Sequence, residues 1–303
     1  MLSINTNVAS MAAVNAINKS NASLATSMER LATGNRINSS ADDAAGKQIA
    51  TRLQTQSAGD AVAQRNISDA TAMLQTADGM FDEMTDVLGR MNDLSTQAAN
   101  GTYNDDDLQA MQDEYDELGA QMSDMLQNTT YGGTNLFGTS GAGSNTGEDG
   151  LFQSAVSFQV GAESSDTITV DISSQLGQLV DDLGAVSASF TADQSTSGGT
   201  VTGGSELTSS GGAHTAMDNI STAMDDISSI QSSLGASINR LNDTAANLTN
   251  MKDNTDVAIG NIMDTDYATE ASNMTKQQVL MQTGITMLKQ ANSTSSMVGS
   301  LLQ

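Results

Sequence analysis

From Met217 to Ile262 an apolar or small residue recurs every three or four positions almost without slip: Met217, Ile220, Met224, Ile227, Leu234, Ile238, Leu241, Ala245, Leu248, Ile259 and Ile262. Polar Gln231, Lys252 and Thr255 stand in the same row and can fix its register. That period puts one continuous stripe down a helix many turns long, which must bury it against other helices. A second stripe runs through Ile67, Ala70, Leu74, Ala77, Phe81, Met84, Leu88 and Met91, then Leu94 or Ser95, then Ala98; a third is Leu108, Met111, Tyr115, Leu118, Met122 and Met125. Met-rich stripes can form adaptable ligand grooves, but at heptad spacing these methionines read as core. The 303 residues contain no proline to interrupt a helix. The spacing therefore predicts a mainly α fold: a long antiparallel helical, coiled-coil bundle formed by the N- and C-terminal segments, with a small β-hairpin region and a loop-rich middle.

The two ends carry stripes of their own. At the carboxyl end Leu280, Gly284, Met287, Ala291, Thr294, Val298 and Leu301 keep the three/four spacing, with Leu288 and Leu302 counted among the packing residues. At the amino end Ile4, Val8, Met11, Val14, Ile17, Leu24, Met28 and Leu31 do the same, interrupted by Asn21. Single helices of this kind are marginal in water, so each terminal stripe is expected to need a partner, first the other end of the chain and then further copies of it. Between the stripes lie punctuation signals. Thr33-Gly34-Asn35 reads as a helix stop, and Asp42 and Asp43 suit the first turn of the next helix. A break falls at Asn100-Gly101, where Asn104 is a candidate cap ahead of Asp105, Asp106 and Asp107. Val156, Phe158 and Val160, then Ile168, Val170 and Ile172, alternate around residues 161–166 as a hairpin. A short amphipathic piece (Leu176, Leu179, Val180, Leu183) is followed by Ser/Thr/Gly low complexity; together 173–212 is expected to be a surface loop, with Ser and Thr between Ser195 and Ser210 as candidates for O-linked sugar.

Charge and residue types narrow the function. The net charge is −25, and all eleven Lys and Arg lie within 19–90 or 240–289. The 149 residues between Arg90 and Arg240 hold none of them but twenty-one Asp and Glu. Phosphate binding needs clustered cations, so nucleic acid is excluded as a partner. No stretch has the ~18 apolar residues of a membrane span, and the first residues show neither a basic segment nor an apolar run, so no cleaved signal peptide is expected. One histidine, His214, and no cysteine leave no His-rich metal site and no histidine-dependent triad. Asp105–Asp107 lacks the alternation and glycine of an EF-hand loop. No catalytic residue, metal ligand or cofactor site is expected, and the chain reads as a non-enzyme.

These residues resemble bacterial flagellin. Ile4-Asn5-Thr6-Asn7, Arg30-Leu31-Ala32-Thr33-Gly34-Asn35-Arg36-Ile37-Asn38-Ser39 and Asp42-Asp43-Ala44-Ala45-Gly46 look like that family's opening. Leu234-Gly235-Ala236, Asn239-Arg240-Leu241, Asn247-Leu248, Asp264-Thr265-Asp266, Gln290-Ala291-Asn292 and Leu301-Leu302 are similar to its close. The match covers about 1–172 and 213–303. It implies a subunit that polymerises with itself into the extracellular filament used for swimming or swarming. The implied layout is an inner coiled-coil domain from 1–40 and 265–303, an outer domain from 41–172 and 213–264, and a variable loop at 173–212. The resemblance also implies export by the flagellar type III system, an export chaperone on the carboxyl-terminal stripe, and cap and junction proteins as neighbours. A host Toll-like receptor for flagellin would read Arg90, Leu94 and Glu114, which match the family's recognition motif, whereas Gly89, Asn92, Asp93 and Ser95 depart from it. Two other readings stand beside the filament subunit: a hook–filament junction protein, disfavoured by Ala44-Ala45 where that family tends to carry proline, and a secreted helical adhesin or immune ligand that never polymerises.

Overall fold

The computed structural model describes residues 7–138, 150–190 and 203–301, with the backbone alone at 295, 296 and 298–301. Ile4, Leu302 and residues 195–202 of the proposed glycan segment thus lie outside the described residues, as do the side chains of Val298 and Leu301. In order the elements are α1 (Val8–Thr33), α2 (Ala44–Ala98), α3 (Asp105–Asn128), β1 (Thr130–Tyr131), β2 (Thr134–Asn135), β3 (Val156–Gln159), β4 (Thr167–Val170), α4 (Ser173–Val186), α5 (Ser210–Met263) and α6 (Tyr267–Leu301). The chain divides into two compact units, residues up to 58 with those from 251, and residues 59–250.

The larger unit is built on the stripes at 67–98 and in α3 and α5. Ile67, Ala70, Leu74, Ala77, Phe81, Met84, Leu88, Met91, Leu94, Ser95 and Ala98 are all buried, as are Tyr115, Met122, Ile220, Ile227, Leu234, Leu241 and Leu248. They form one continuous apolar core. Asn104 caps α3 as expected, its Oδ1 accepting the Asp107 N–H at 2.8 Å, with three aspartates at the positive end of the helix. Two short hairpins close onto this core. The first, β1–β2, was not expected from the sequence; it turns through Gly132 and Gly133, whose φ angles of 61° and 85° suit only glycine here. Beyond it Phe137 meets Phe81 edge-on at 5.1 Å and Phe152 at 5.8 Å. The second, β3–β4, pairs Val156 with Val170 and Phe158 with Ile168, as the alternation indicates.

The segment 173–212 departs in part from a surface loop. Ser173–Val186 is helix α4, with Leu176, Leu179, Leu183 and Val186 buried in the shared core. Four apolar groups at helical spacing gain more by burial than a loop could offer them. Farther on, a buried polar cluster holds residues 188 and 204–207 to α3. Gln112 donates to Asp116 and Glu206, both at 2.8 Å, and accepts the Leu207 N–H; Asp116 accepts the Gly204 N–H, and Glu206 the Ala188 N–H. His214, expected in a loop, instead sits exposed near the start of α5, which begins at Ser210.

In the smaller unit α1 packs along α6. Helix α1 stops at Gly34 (φ 76°), whose N–H returns to the Arg30 carbonyl. The chain then crosses to the α5–α6 joint: Arg36 N–H donates to Met263 O at 2.6 Å, Thr265 N–H to Gly34 O at 2.9 Å, and the Arg36 guanidinium to Ile262 O at 2.7 Å. Asp42 and Asp43 precede α2 rather than forming its first turn. Asp42 accepts the Asn38 and Ser39 N–H groups, and Asp43 accepts the Gly46 N–H at 2.9 Å, because carboxylates satisfy free amides best from outside the helix. Ile37, Ala50 and Met263 make a small core here with Ile259 and Ile262.

Candidate functional site

The terminal helix pair α1/α6 is where the sequence places function, and its geometry differs from the expected seam. On α6 the residues turned toward α1 are Glu270, Met274, Gln277, Met281, Gly284, Leu288 and Ala291, a heptad row in steps of four and three. On α1 the sheltered positions include Ser10, Ala13, Ile17, Ser20, Leu24, Ser27 and Leu31. Ile17 lies against Gly284: a Cβ there would stand 2.8 Å from Ile17 Cγ1, so only glycine allows this approach. Asn7 ties the far end, its Oδ1 accepting the Ser10 N–H at 3.1 Å and its amide donating to Ala291 O at 3.0 Å.

Of the expected packing residues, Ile17, Leu24, Leu31, Gly284, Leu288 and Ala291 therefore lie in the pair's own seam. Val8, Met11, Val14 and Met28 on α1, and Leu280 and Met287 on α6, do not. They are exposed, Val8 to 74% and Met287 to 63%, and Val279 and Ile285 join them on α6. The reason is steric. Small Ser, Ala and Gly residues let two backbones approach, so they share the inner faces with only some of the large apolar groups and leave the others outside. Sequence spacing missed this because α6 carries two rows at the same period, offset by one residue, and periodicity alone does not say which row faces which partner.

Electrostatics brace the joint. Asp266 starts α6 by accepting the Ala268 N–H and the Thr269 N–H and Oγ1–H, and these bonds hold its carboxyl below the usual range. Glu270, buried in the first turn, lies 4.0 Å from Arg30.

The residues matched to receptor recognition lie in the larger unit. Arg90 and Glu114 are half-exposed and joined by two bonds, Nε at 2.9 Å and Nη2 at 2.7 Å, both to Glu114 Oε1. Leu94 is buried in the core row of α2. Elsewhere, no group of three or more His, Cys, Asp or Glu that could hold a metal gathers among the described residues. No helix among them is long and apolar enough to cross a membrane.

Comparison with known proteins fits this geometry. Residues 4–142 match the bacterial flagellin N-terminal helical region, and residues 217–302 match the bacterial flagellin C-terminal helical region. Flagellin A of Vibrio anguillarum is 32% identical over the full length of both chains. The flagellin of Listeria monocytogenes is 32% identical over 99% of each. Among solved structures, a Vibrio parahaemolyticus protein assigned as flagellar hook-associated aligns with a TM-score of 0.57 at 18% identity, covering 74% of this chain and 100% of that one, a likeness of fold alone. The matches favour neither a junction protein nor a non-polymerising adhesin. With the family's two helical regions at its ends and full-length flagellin relatives, this chain belongs to the bacterial flagellin family.

Proposed function

We propose that the outward apolar rows of α1 and α6 are the surfaces by which each subunit binds its neighbours. The chain is a subunit of the extracellular flagellar filament. The observation that carries the proposal is the exposure of Val8, Met11, Val14 and Met28 on one helix and Val279, Leu280, Ile285 and Met287 on the other, which the pair's own seam leaves uncovered. Burying such side chains contributes about 1.5–3 kcal/mol each, so stacking copies of the pair orders both helices and grows the polymer in one step. Residues 1–40 and 265–303 would form the inner domain of the filament, 41–172 and 213–264 the outer domain, and 173–212 a variable segment at its surface. Export as an unfolded chain through the flagellar type III apparatus, a chaperone covering the α6 row beforehand, and docking to cap and junction proteins complete the scheme. Electron microscopy of purified subunits tests its centre. Met287→Asp is expected to give folded monomers and no filaments; filaments of normal length from that variant would refute the assignment of this face.

A second reading rests on the Arg90–Glu114 pair, which offers a solvent-facing guanidinium and carboxylate to a host Toll-like receptor for flagellin. Binding would open this pair and replace it with charge-assisted bonds across the interface. Arg90→Ala is expected to weaken signalling by free monomer while its helix content stays unchanged. A monomer whose signalling ignores the substitution would leave the pair a purely internal contact.

A further inference from the structure

The chain holds eighteen methionines and no cysteine, so thioether is the sulfur it offers to reversible oxidation. The structure sorts these methionines by access. Met84, Met91 and Met122 have no exposed surface in the core of the larger unit. Met274 and Met281 are half-buried in the seam between α1 and α6. Met11, Met28, Met287 and Met297 are open to solvent on that same pair, Met28 to 50% and Met287 to 63%. Met251 on α5 is the other exposed methionine among the described residues. Access to methionine sulfur is thus concentrated on the terminal helices.

Exposure decides which thioethers a dissolved oxidant reaches. Hydrogen peroxide transfers one oxygen atom to the sulfur. A sulfur lone pair forms the S–O bond as the O–O bond breaks; the sulfur is oxidised by two electrons and the peroxide is reduced to water. The product, methionine sulfoxide, turns a flexible apolar side chain into a polar one with a hydrogen-bond acceptor. Water solvates that oxygen in the free subunit, but burial without a donor is costly. Val8, Val14, Val279, Leu280 and Ile285, exposed in the same outward rows, carry no side-chain donor to receive it.

We propose that Met11, Met28, Met287 and Met297 form an oxidation site that controls assembly: peroxide converts them to sulfoxides in the free subunit and blocks its addition to a filament, and reduction of the sulfoxides restores it. The proposal rests on the reading of the outward rows as the subunit interface. The larger unit is spared, because Met84, Met91 and Met122 are closed to oxidant. An oxidised subunit therefore keeps its core and loses only its apolar outer face. Assembly covers the same sulfurs, so the sensitivity belongs to the subunit before it is incorporated.

The test treats full-length monomer with hydrogen peroxide, quenches it with catalase, maps sulfoxides by peptide mass spectrometry and measures elongation from filament seeds. The four terminal methionines are expected to gain oxygen before Met84, Met91 and Met122, and the subunit concentration needed for elongation is expected to rise about tenfold or more. Methionine sulfoxide reductases for both epimers, with a thiol reductant, are expected to restore elongation. A variant combining Met11→Leu, Met28→Leu, Met287→Leu and Met297→Leu, which conserves volume without oxidisable sulfur, is expected to elongate equally with and without peroxide. Normal elongation by parent carrying all four sulfoxides, or an equal peroxide loss in the leucine variant, would overturn the site. Should the leucine variant not assemble at all, the reductase step on the parent decides, because a loss it does not reverse contradicts the proposal. Untreated Met287→Asp separates the two levels: filaments from it sink the interface reading itself, whereas its failure to assemble beside normal elongation of oxidised parent sinks the oxidation site alone.

Discussion

The α5 row from Ile220 to Leu248 and the α6 row from Glu270 to Ala291 have the same three/four spacing but different contents. On α5 the inward positions are Ile220, Ile227, Leu234 and Leu241, each with no exposed surface, and Leu248. On α6 the inward positions mix Met274, Met281 and Leu288 with Glu270, Gln277, Gly284 and Ala291, while Val279, Leu280, Ile285 and Met287 face outward. The first helix keeps its apolar surface within its own unit. The second divides its large apolar groups between a mixed inner row and an exposed outer one. The larger unit thus closes its own core, whereas the smaller one leaves large apolar side chains uncovered, and the proposed role of those side chains is to be covered by neighbouring subunits.

The sharpest way to break the comparison is to place a charge on adjacent residues of α6. Met287→Asp, on the outer face, is expected to change monomer stability by less than about 0.5 kcal/mol and yet abolish polymerisation, because a carboxylate buried between subunits costs several kcal/mol (order of magnitude). Leu288→Asp, on the inner face, is expected to loosen α1 from α6 in the monomer as well, seen as lost helical ellipticity. Identical behaviour of the two variants would erase the distinction between the faces.

Next in size is the core row of the larger unit. Leu234→Ala removes a fully buried side chain and is expected to lower monomer unfolding free energy by about 2–5 kcal/mol. Denaturant unfolding measures this, and a loss comparable to that of an exposed site would contradict a self-sufficient core.

A smaller effect depends on pH. Asp226 on α5 is pushed up to about 6, first by burial and then by hydrogen bonding to, and repulsion from, Asp182 of α4. Its folded value lies above the ordinary 3.8, so its contribution is fully present below that value and is lost as pH rises through about 6. Solvent screening keeps the change to about 1–2 kcal/mol. The difference in unfolding free energy between the parent and Asp226→Asn is expected to shift between pH 4 and 7, and a constant difference would remove Asp226 as the titrating group.

Smallest is Arg90→Ala, which breaks a solvent-facing pair and is expected to cost no more than about 1 kcal/mol of monomer stability. Calorimetry checks this, and a larger loss would show the pair to be a structural brace.

Much of the fold was legible because its signals repeat. The α2 positions from Ile67 to Ala98 are all buried where the spacing puts them, and Asn104 and Gly34 act as the cap and stop that their types indicate. Less legible were features that rest on a single residue or on partners far apart in sequence. The β1–β2 hairpin hangs on Gly132-Gly133 inside a stretch rich in glycine and threonine throughout. The Gln112–Asp116–Glu206 cluster joins residues 94 apart, and no pattern in an acidic sequence marks which acids are buried. On α6 the expected stripe placed Gly284 and Ala291 correctly but joined them to Leu280 and Met287 rather than to Met281 and Leu288, because both pairs keep the three/four spacing with respect to those small residues.

Hydrogen exchange, compared between monomer and filament, tests most directly whether the terminal pair is completed by its neighbours. In monomer the amides of 8–33 and 267–301 are expected to exchange fast while those of 67–98, 108–126 and 220–248 are protected, and in filament both sets are expected to be slow. Terminal helices as protected in the monomer as the core of the larger unit would contradict it.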